Sequence, residues 1–130
     1  MQSICRNATP EDYEHVLSIN RESLPGVALL ERDYFEVLIK ICEHFRVIEV
    51  DSVVAGYIFA MNQDASYDAE EFQWFGHHLS ENFLYIDQVA IGQEWRNNGF
   101  GRVLYKNLEE HAAKRSASIL CPILSSSNLQ

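Results

Sequence analysis

Apolar positions along the chain change their spacing repeatedly, and each change marks a boundary between elements. Residues 3–6 are short and apolar enough to predict a first strand. Thr9-Pro10-Glu11-Asp12 then reads as a helix start, with a Thr N-cap, Pro at the first helical position and acids in the first turn. The helix that follows is expected to bury Val16, Leu17 and Ile19, and Pro25-Gly26 breaks it. A second helix over residues 31–42 carries Tyr34, Phe35, Leu38 and Ile41 at helical spacing. The period then switches to that of strands. Residues 45–50 and 53–61 are β-branched or aromatic runs separated by Asp51-Ser52, which predicts an antiparallel hairpin. Residues 62–82 are polar, acidic and aromatic, with a short helix over 69–77. An apolar strand over 83–91, an amphipathic helix over 99–115 and a last strand over 118–124 complete the order β-α-α-β-β-β-α-β.

That order places the chain in the α/β (α+β) class as one domain over residues 1–130. Hydrophobic residues make up 47% and charged residues 22%, a globular composition. No apolar run approaches the roughly 20 residues that a bilayer span needs, and the first six residues lack the apolar core of a signal peptide. A cytoplasmic location without a membrane partner is expected. A formal charge of -9 opposes nucleic-acid binding, because phosphates are repelled. Cys5, Cys42 and Cys121 are far apart and form no C-x-x-C pair, so they predict buried small hydrophobes rather than a disulfide framework or a zinc site. His77 and His78 are adjacent, their side chains diverge, and no third ligand is evident, so no metal is expected.

The candidate chemistry begins at Arg96-Asn97-Asn98-Gly99-Phe100-Gly101, where a strand passes into a helix. Such a place presents backbone N–H groups with no intrahelical partner and the positive end of the helix dipole, which together favour phosphate. Gly99 and Gly101 let a bulky anion approach the main chain. The dinucleotide fingerprint G-x-G-x-x-G is not matched, and no Gly-Lys-Ser/Thr of a P-loop occurs.

The segment Val89-Ala90-Ile91, then Gln93, Arg96-x-x-Gly99-x-Gly101 and Leu104, resembles the acetyl-CoA signature of the GNAT N-acetyltransferases, Gln/Arg-x-x-Gly-x-Gly/Ala. The element order is similar to that of the family along the whole chain. The resemblance implies a mixed central sheet with helices on both faces, and a signature strand splayed from its parallel neighbour by a bulge. It implies further that the pantetheine arm of acetyl-CoA pairs with the backbone of Val89, Ala90 and Ile91, and that a backbone N–H of the bulge near Val89 holds the thioester carbonyl. The pyrophosphate is then expected on the N–H groups of Asn97, Asn98, Gly99, Phe100, Gly101 and Arg102, with Arg102 an added charge and Arg96 opening the loop. The family usually continues through an Asn-bearing motif, a helix that often carries a Tyr general acid, and two more strands. Here the sequence closes at Ser125-Ser126-Ser127-Asn128-Leu129-Gln130, with Asn128 about where the family's Asn stands, so a C-terminally shortened fold without that acid is expected. A last strand left at a sheet edge predicts a homodimer, the other possibility being a tail folded over that edge.

Acetyl transfer to an amine needs a proton acceptor. Asp87 is a charged residue inside an apolar strand, on the same face as Tyr85, and burial there raises a carboxyl pKa toward that of a useful base. A purely structural hydrogen bond is the alternative reading. Glu81, just before the strand, is the second candidate, and Tyr85 is a candidate to orient substrate or donate a proton, or simply packs. In the resemblance the acceptor site is flanked by residues 23–30 and by the connection that carries Asp64, Tyr67, Asp68, Glu70, Glu71, Phe72, Trp74 and Phe75, an acidic and aromatic rim suited to a cationic amine. The expected activity is transfer of acetyl from acetyl-CoA to a primary amine, of a small molecule or a protein, by direct attack. The alternative is a catalytically weak acyl-CoA-binding or dimer-forming regulatory module.

Overall fold

The computed structural model describes residues 2–121, in which five strands form one sheet in the order β1-β2-β3-β4-β5. The strands are β1 Ser3–Asn7, β2 His44–Val50, β3 Val53–Asn62, β4 Phe83–Ile91 and β5 Ser118–Leu120. The helices are α1 Tyr13–Glu22, α2 Arg32–Ile41, α3 Glu70–His78 and α4 Phe100–Lys114. The first four strands pair antiparallel in chain order, and β5 joins β4 in parallel after the α4 crossover. The mixed sheet and element order are those expected. Of the last strand predicted over 118–124, residues 122–124 lie outside the described residues.

Local chemistry accounts for the boundaries. Asp51 and Ser52 both take positive φ, 49° and 69°, in the two-residue turn whose twist matches that of the flanking strands. Pro10–Asp12 forms a 3-10 turn that leads into α1, and the Asp12 carboxylate accepts the Thr9 N–H at 2.8 Å. The Arg6 guanidinium grips the same carboxylate at 2.7 and 2.9 Å and holds it below the usual carboxylate range. The helix start is thereby tied to β1.

Alternation along the strands builds a core on each face of the sheet. Tyr57, Phe59, Met61, Phe83 and Tyr85 pack with Val16, Leu17 and Ile19 of α1, Phe35 and Leu38 of α2 and Phe72 of α3. Ile58, Ala60, Leu84, Ile86, Val89 and Ile91 pack on the other face against Phe100, Leu104, Leu108 and Ala112 of α4. The apolar stripe of α2 is narrower than its sequence suggests, since Tyr34 is 42% exposed and Ile41 only half-buried. The cysteines also depart from expectation. Cys5, Cys42 and Cys121 are half-buried, because they sit on edge strand β1, at the end of α2 and just beyond edge strand β5. Among the described residues no helix is long and apolar enough to cross a membrane, and no three metal-ligating side chains converge. His78 instead stacks on Trp74 with ring centroids 4.1 Å apart.

Candidate active site

The site is organised by one irregularity in β4. Phe59 pairs with Gln88 and Ala60 with Ile86, so Asp87 is an extra residue opposite one step of β3. Such a bulge interrupts the alternation of side chains. Asp87 and Gln88 consequently both face the α1–α2 side, where Asp87 meets Tyr67 and Gln88 meets Asn20. The bulge lies at Asp87, before the Val89 position to which the resemblance pointed. β5 pairs only with Phe83, Leu84 and Tyr85, so from Ile86 to Ile91 the outer edge of β4 has no strand partner among the described residues. Val89, Ala90 and Ile91 bury their side chains while their backbone runs along this stretch of β4. Gly56 keeps the opposite side of β4 close, since a Cβ there would stand 2.8 Å from the Ala90 carbonyl oxygen.

The glycine loop follows at the C-terminal end of the same strand. Asn97 and Gly99 are left-handed, with φ of 65° and 80°, and the Asn98 amide closes the loop by donating to the Trp95 and Arg96 carbonyls at 3.0 and 3.1 Å. Gly99 caps the 15-residue helix α4, and apart from its chain neighbours no described residue lies within 4 Å of where its Cβ would be. Val103 donates to the Gly99 carbonyl at 3.3 Å, which leaves Phe100, Gly101 and Arg102 as first-turn donors without a helical acceptor. This geometry fits an anion. Arg102 is exposed on the first turn, whereas Arg96 is engaged elsewhere. Its Nε donates to the Ile91 carbonyl at 2.9 Å, and Nη2 reaches Ser23 Oγ at 3.2 Å and the Glu22 carbonyl at 3.5 Å. Arg96 thus staples the end of β4 to the C-terminal end of α1, where a cation is favoured.

On the bulge, Tyr67 donates its hydroxyl to Asp87 Oδ1. Burial pushes the Asp87 carboxyl up to about 6, and the Tyr67 hydrogen bond acts in the opposite direction. Tyr85 lies on the same face, its ring packed edge-on against Phe72 at 5.6 Å and its hydroxyl 3.4 Å from Glu71 Oε1. Burial first, and then the charges of Glu71 and Asp87, raise the Tyr85 pKa, so it holds its proton. Glu81 is not brought to this group. It stands before the other end of β4 and accepts the Ser118 hydroxyl, fastening β5. Asp64, Asp68 and Glu70 are exposed and Glu71 half-buried, and none of them, nor Asp87, has an ion-pair partner among the described residues. Asn128 lies outside the described residues.

Sequence reading missed a buried amide network next to Asp87. Asn20 is 0% and Gln88 5% exposed. Asn20 Nδ2 donates to Gln88 Oε1 at 3.0 Å and to the Ala28 carbonyl at 2.8 Å, and Asn20 Oδ1 accepts the Leu30 N–H at 2.8 Å. Gln88 Nε2 also reaches the Ala28 carbonyl at 2.8 Å, and Tyr57 donates to Gln88 Oε1 at 2.7 Å. The segment between α1 and α2 is thereby moored over the bulge. The available signal was a polar residue in the apolar stripe of α1 and another in the apolar run of β4.

A mixed sheet whose described β4–β5 pairing ends at Tyr85, with a bulge just after it and a left-handed glycine at the following helix, matches the GNAT fold. The chain belongs to the acetyltransferase (GNAT) family, whose model matches residues 10–128. No curated protein sequence matches it. Solved structures share its fold at low identity. N-acetylglutamate synthase from Neisseria gonorrhoeae, complexed with coenzyme A and N-acetyl-glutamate, is 16% identical with a TM-score of 0.68, over 93% of this chain and 25% of that one. Ard1 from Thermoplasma volcanium is 19% identical with a TM-score of 0.67, over 90% of this chain and 68% of its own. Arabidopsis thaliana Naa50, in complex with the bisubstrate analogue CoA-Ac-MVNAL, is 13% identical with a TM-score of 0.67, over 93% and 72%. This chain thus spans a quarter of the length of the Neisseria protein.

Proposed function

We propose that this protein transfers acetyl from acetyl-CoA to a primary amine by direct attack in a ternary complex. The observation that carries the reading is the position of Asp87, a half-buried carboxylate on a bulge of β4, the strand that leads into the glycine loop. Backbone groups of Val89, Ala90 and Ile91 take the pantetheine arm. The N–H groups from Asn97 to Arg102 take the diphosphate, with the exposed Arg102 as an added charge. The open left-handed Gly99 and the family membership support this, as does the coenzyme A bound by the Neisseria neighbour. When bound, acetyl-CoA supplies an acyl carbonyl activated as a thioester. Asp87 accepts a proton from the acceptor ammonium, which leaves a neutral nucleophilic nitrogen. The unneutralised carboxylates of the 64–71 segment and the exposed Trp74 ring favour a cationic acceptor.

The test is calorimetric titration with acetyl-CoA, followed by thiol release across a panel of small amines and peptide N-termini. Micromolar binding with amine-dependent release is expected. Binding without release from any amine would favour the regulatory acyl-CoA-binding module, and no binding would overturn both. The homodimer belongs to the same proposal, because β5 has no strand on its outer side among the described residues and Ile119 and Leu120 are only half-buried. Light scattering is expected to give twice the 15.0 kDa chain mass, and a monomer at micromolar concentration would remove the dimer from the reading.

A further inference from the structure

We propose that Tyr67 is the positioning residue for Asp87, holding one carboxylate oxygen so that the other is presented to the acceptor amine. This rests on the reading of Asp87 as the base, and it follows from how the bulge divides its two polar side chains. Gln88 is consumed by Asn20, Tyr57 and the Ala28 carbonyl. Asp87 has one hydrogen-bond partner among the described residues, the Tyr67 hydroxyl at Oδ1, and Oδ2 is left for a proton.

Tyr67 is built to hold that position. It is 7% exposed, its ring lies 5.3 Å from Phe72 and 6.4 Å from Tyr85, and its backbone carbonyl accepts Gln73 Nε2 at 2.6 Å. A carboxylate on a single-bonded arm rotates freely until one oxygen is fixed, and a donor that stays put selects one rotamer. The rest of the surroundings offer no substitute. Tyr57 from β3, Tyr85 from β4 and Cys42 from the end of α2 feel the charge of Asp87, and each is held neutral chiefly by burial. Tyr34 of α2 stands near Tyr67 and feels the charge of Asp68, and Glu71 stands behind Tyr85. The groups acting on the Asp87 carboxyl include no Lys, Arg or His, so its ionised form depends on one neutral hydroxyl. In the reaction an N–H bond of the acceptor ammonium breaks, an O–H bond forms at Oδ2, and the electron pair stays on nitrogen.

Tyr67→Phe removes the hydroxyl and keeps the ring that packs against Phe72 and Tyr85. The Asp87 side-chain carboxyl is followed by carbon-13 NMR against pH in the wild type and the variant, without substrate. The midpoint is expected to rise by on the order of one pH unit when the donor is lost. The acid limb of the kcat/KM profile is expected to rise with it, so that activity falls about twofold at pH 7 and about fivefold at pH 6 and recovers at higher pH. An unchanged Asp87 midpoint overturns the role of Tyr67, whatever the activity does. A shifted midpoint with full activity in Asp87→Asn overturns the base and leaves the Tyr67 contact standing, which separates the two failures.

Discussion

Asp87→Asn is expected to lower kcat/KM for the acceptor amine by about 100- to 1,000-fold, the lower part of the range a positioned general base contributes, and to make the protein more stable at neutral and alkaline pH. The two effects share one cause. Burial raises the folded-state pKa of Asp87 from 3.8 to about 6. A group raised in this way stabilises the fold most below its unfolded pKa and loses that contribution as pH rises through the folded value. Above pH 6 the wild type therefore carries an ionised carboxylate that the fold disfavours, at a cost of about 2 to 3 kcal/mol by the conversion of pKa units to free energy. Asn has nearly the same shape, still accepts from Tyr67, and bears no such charge. Thermal melts at pH 8 are expected to show the variant several degrees more stable, and melts below pH 4 to show no difference. A variant with unchanged turnover would overturn the base, and one less stable at pH 8 would overturn the account of its burial. Loss of activity with gain of stability marks a residue kept for chemistry rather than for packing.

Gly99→Asp is expected to weaken acetyl-CoA binding at least 100-fold, about 2.7 kcal/mol, in the calorimetric titration. The substitution puts an anion where the proposal puts the diphosphate. It is also one the fold can absorb. Apart from its chain neighbours, no described residue comes within 4 Å of the new Cβ, so no packed neighbour must move. The φ of 80° strains a side chain, but Asp tolerates the left-handed region better than most residues, and a carboxylate at a helix N-terminus is itself favourable. The melting temperature is accordingly expected to stay near that of the wild type. Gly99→Ala in parallel carries the strain without the charge and is expected to bind far better than Gly99→Asp. Equal affinity for Gly99→Asp and the wild type would show that the loop does not hold the diphosphate.

Much of this architecture is legible in the sequence because it is decided within a few residues. The Thr9-Pro10 start of the first helix, the Asp51-Ser52 hairpin, the β4 span and the glycine loop each depend on local dihedral preference or on apolar period, and the structure places all four where they were read. Asp87 was visible for the same reason, as a charge in an apolar run. What surrounds it was not. The bulge depends on how β3 and β4 come into register, and no single strand carries that information. The bond between Asn20 and Gln88 spans 68 positions, and that between Tyr67 and Asp87 spans 20. Arg96 looked like a loop cation until the end of α1 was packed beside it. The sequence by itself determined the elements, their order and the loop suited to an anion, since each follows from steric and hydrogen-bonding rules acting along the chain. Only the tertiary structure decided that Asp87 and Gln88 face the same way and that Gln88 is moored mainly by amides and Asp87 by a tyrosine, because those outcomes follow from packing between segments distant in the chain.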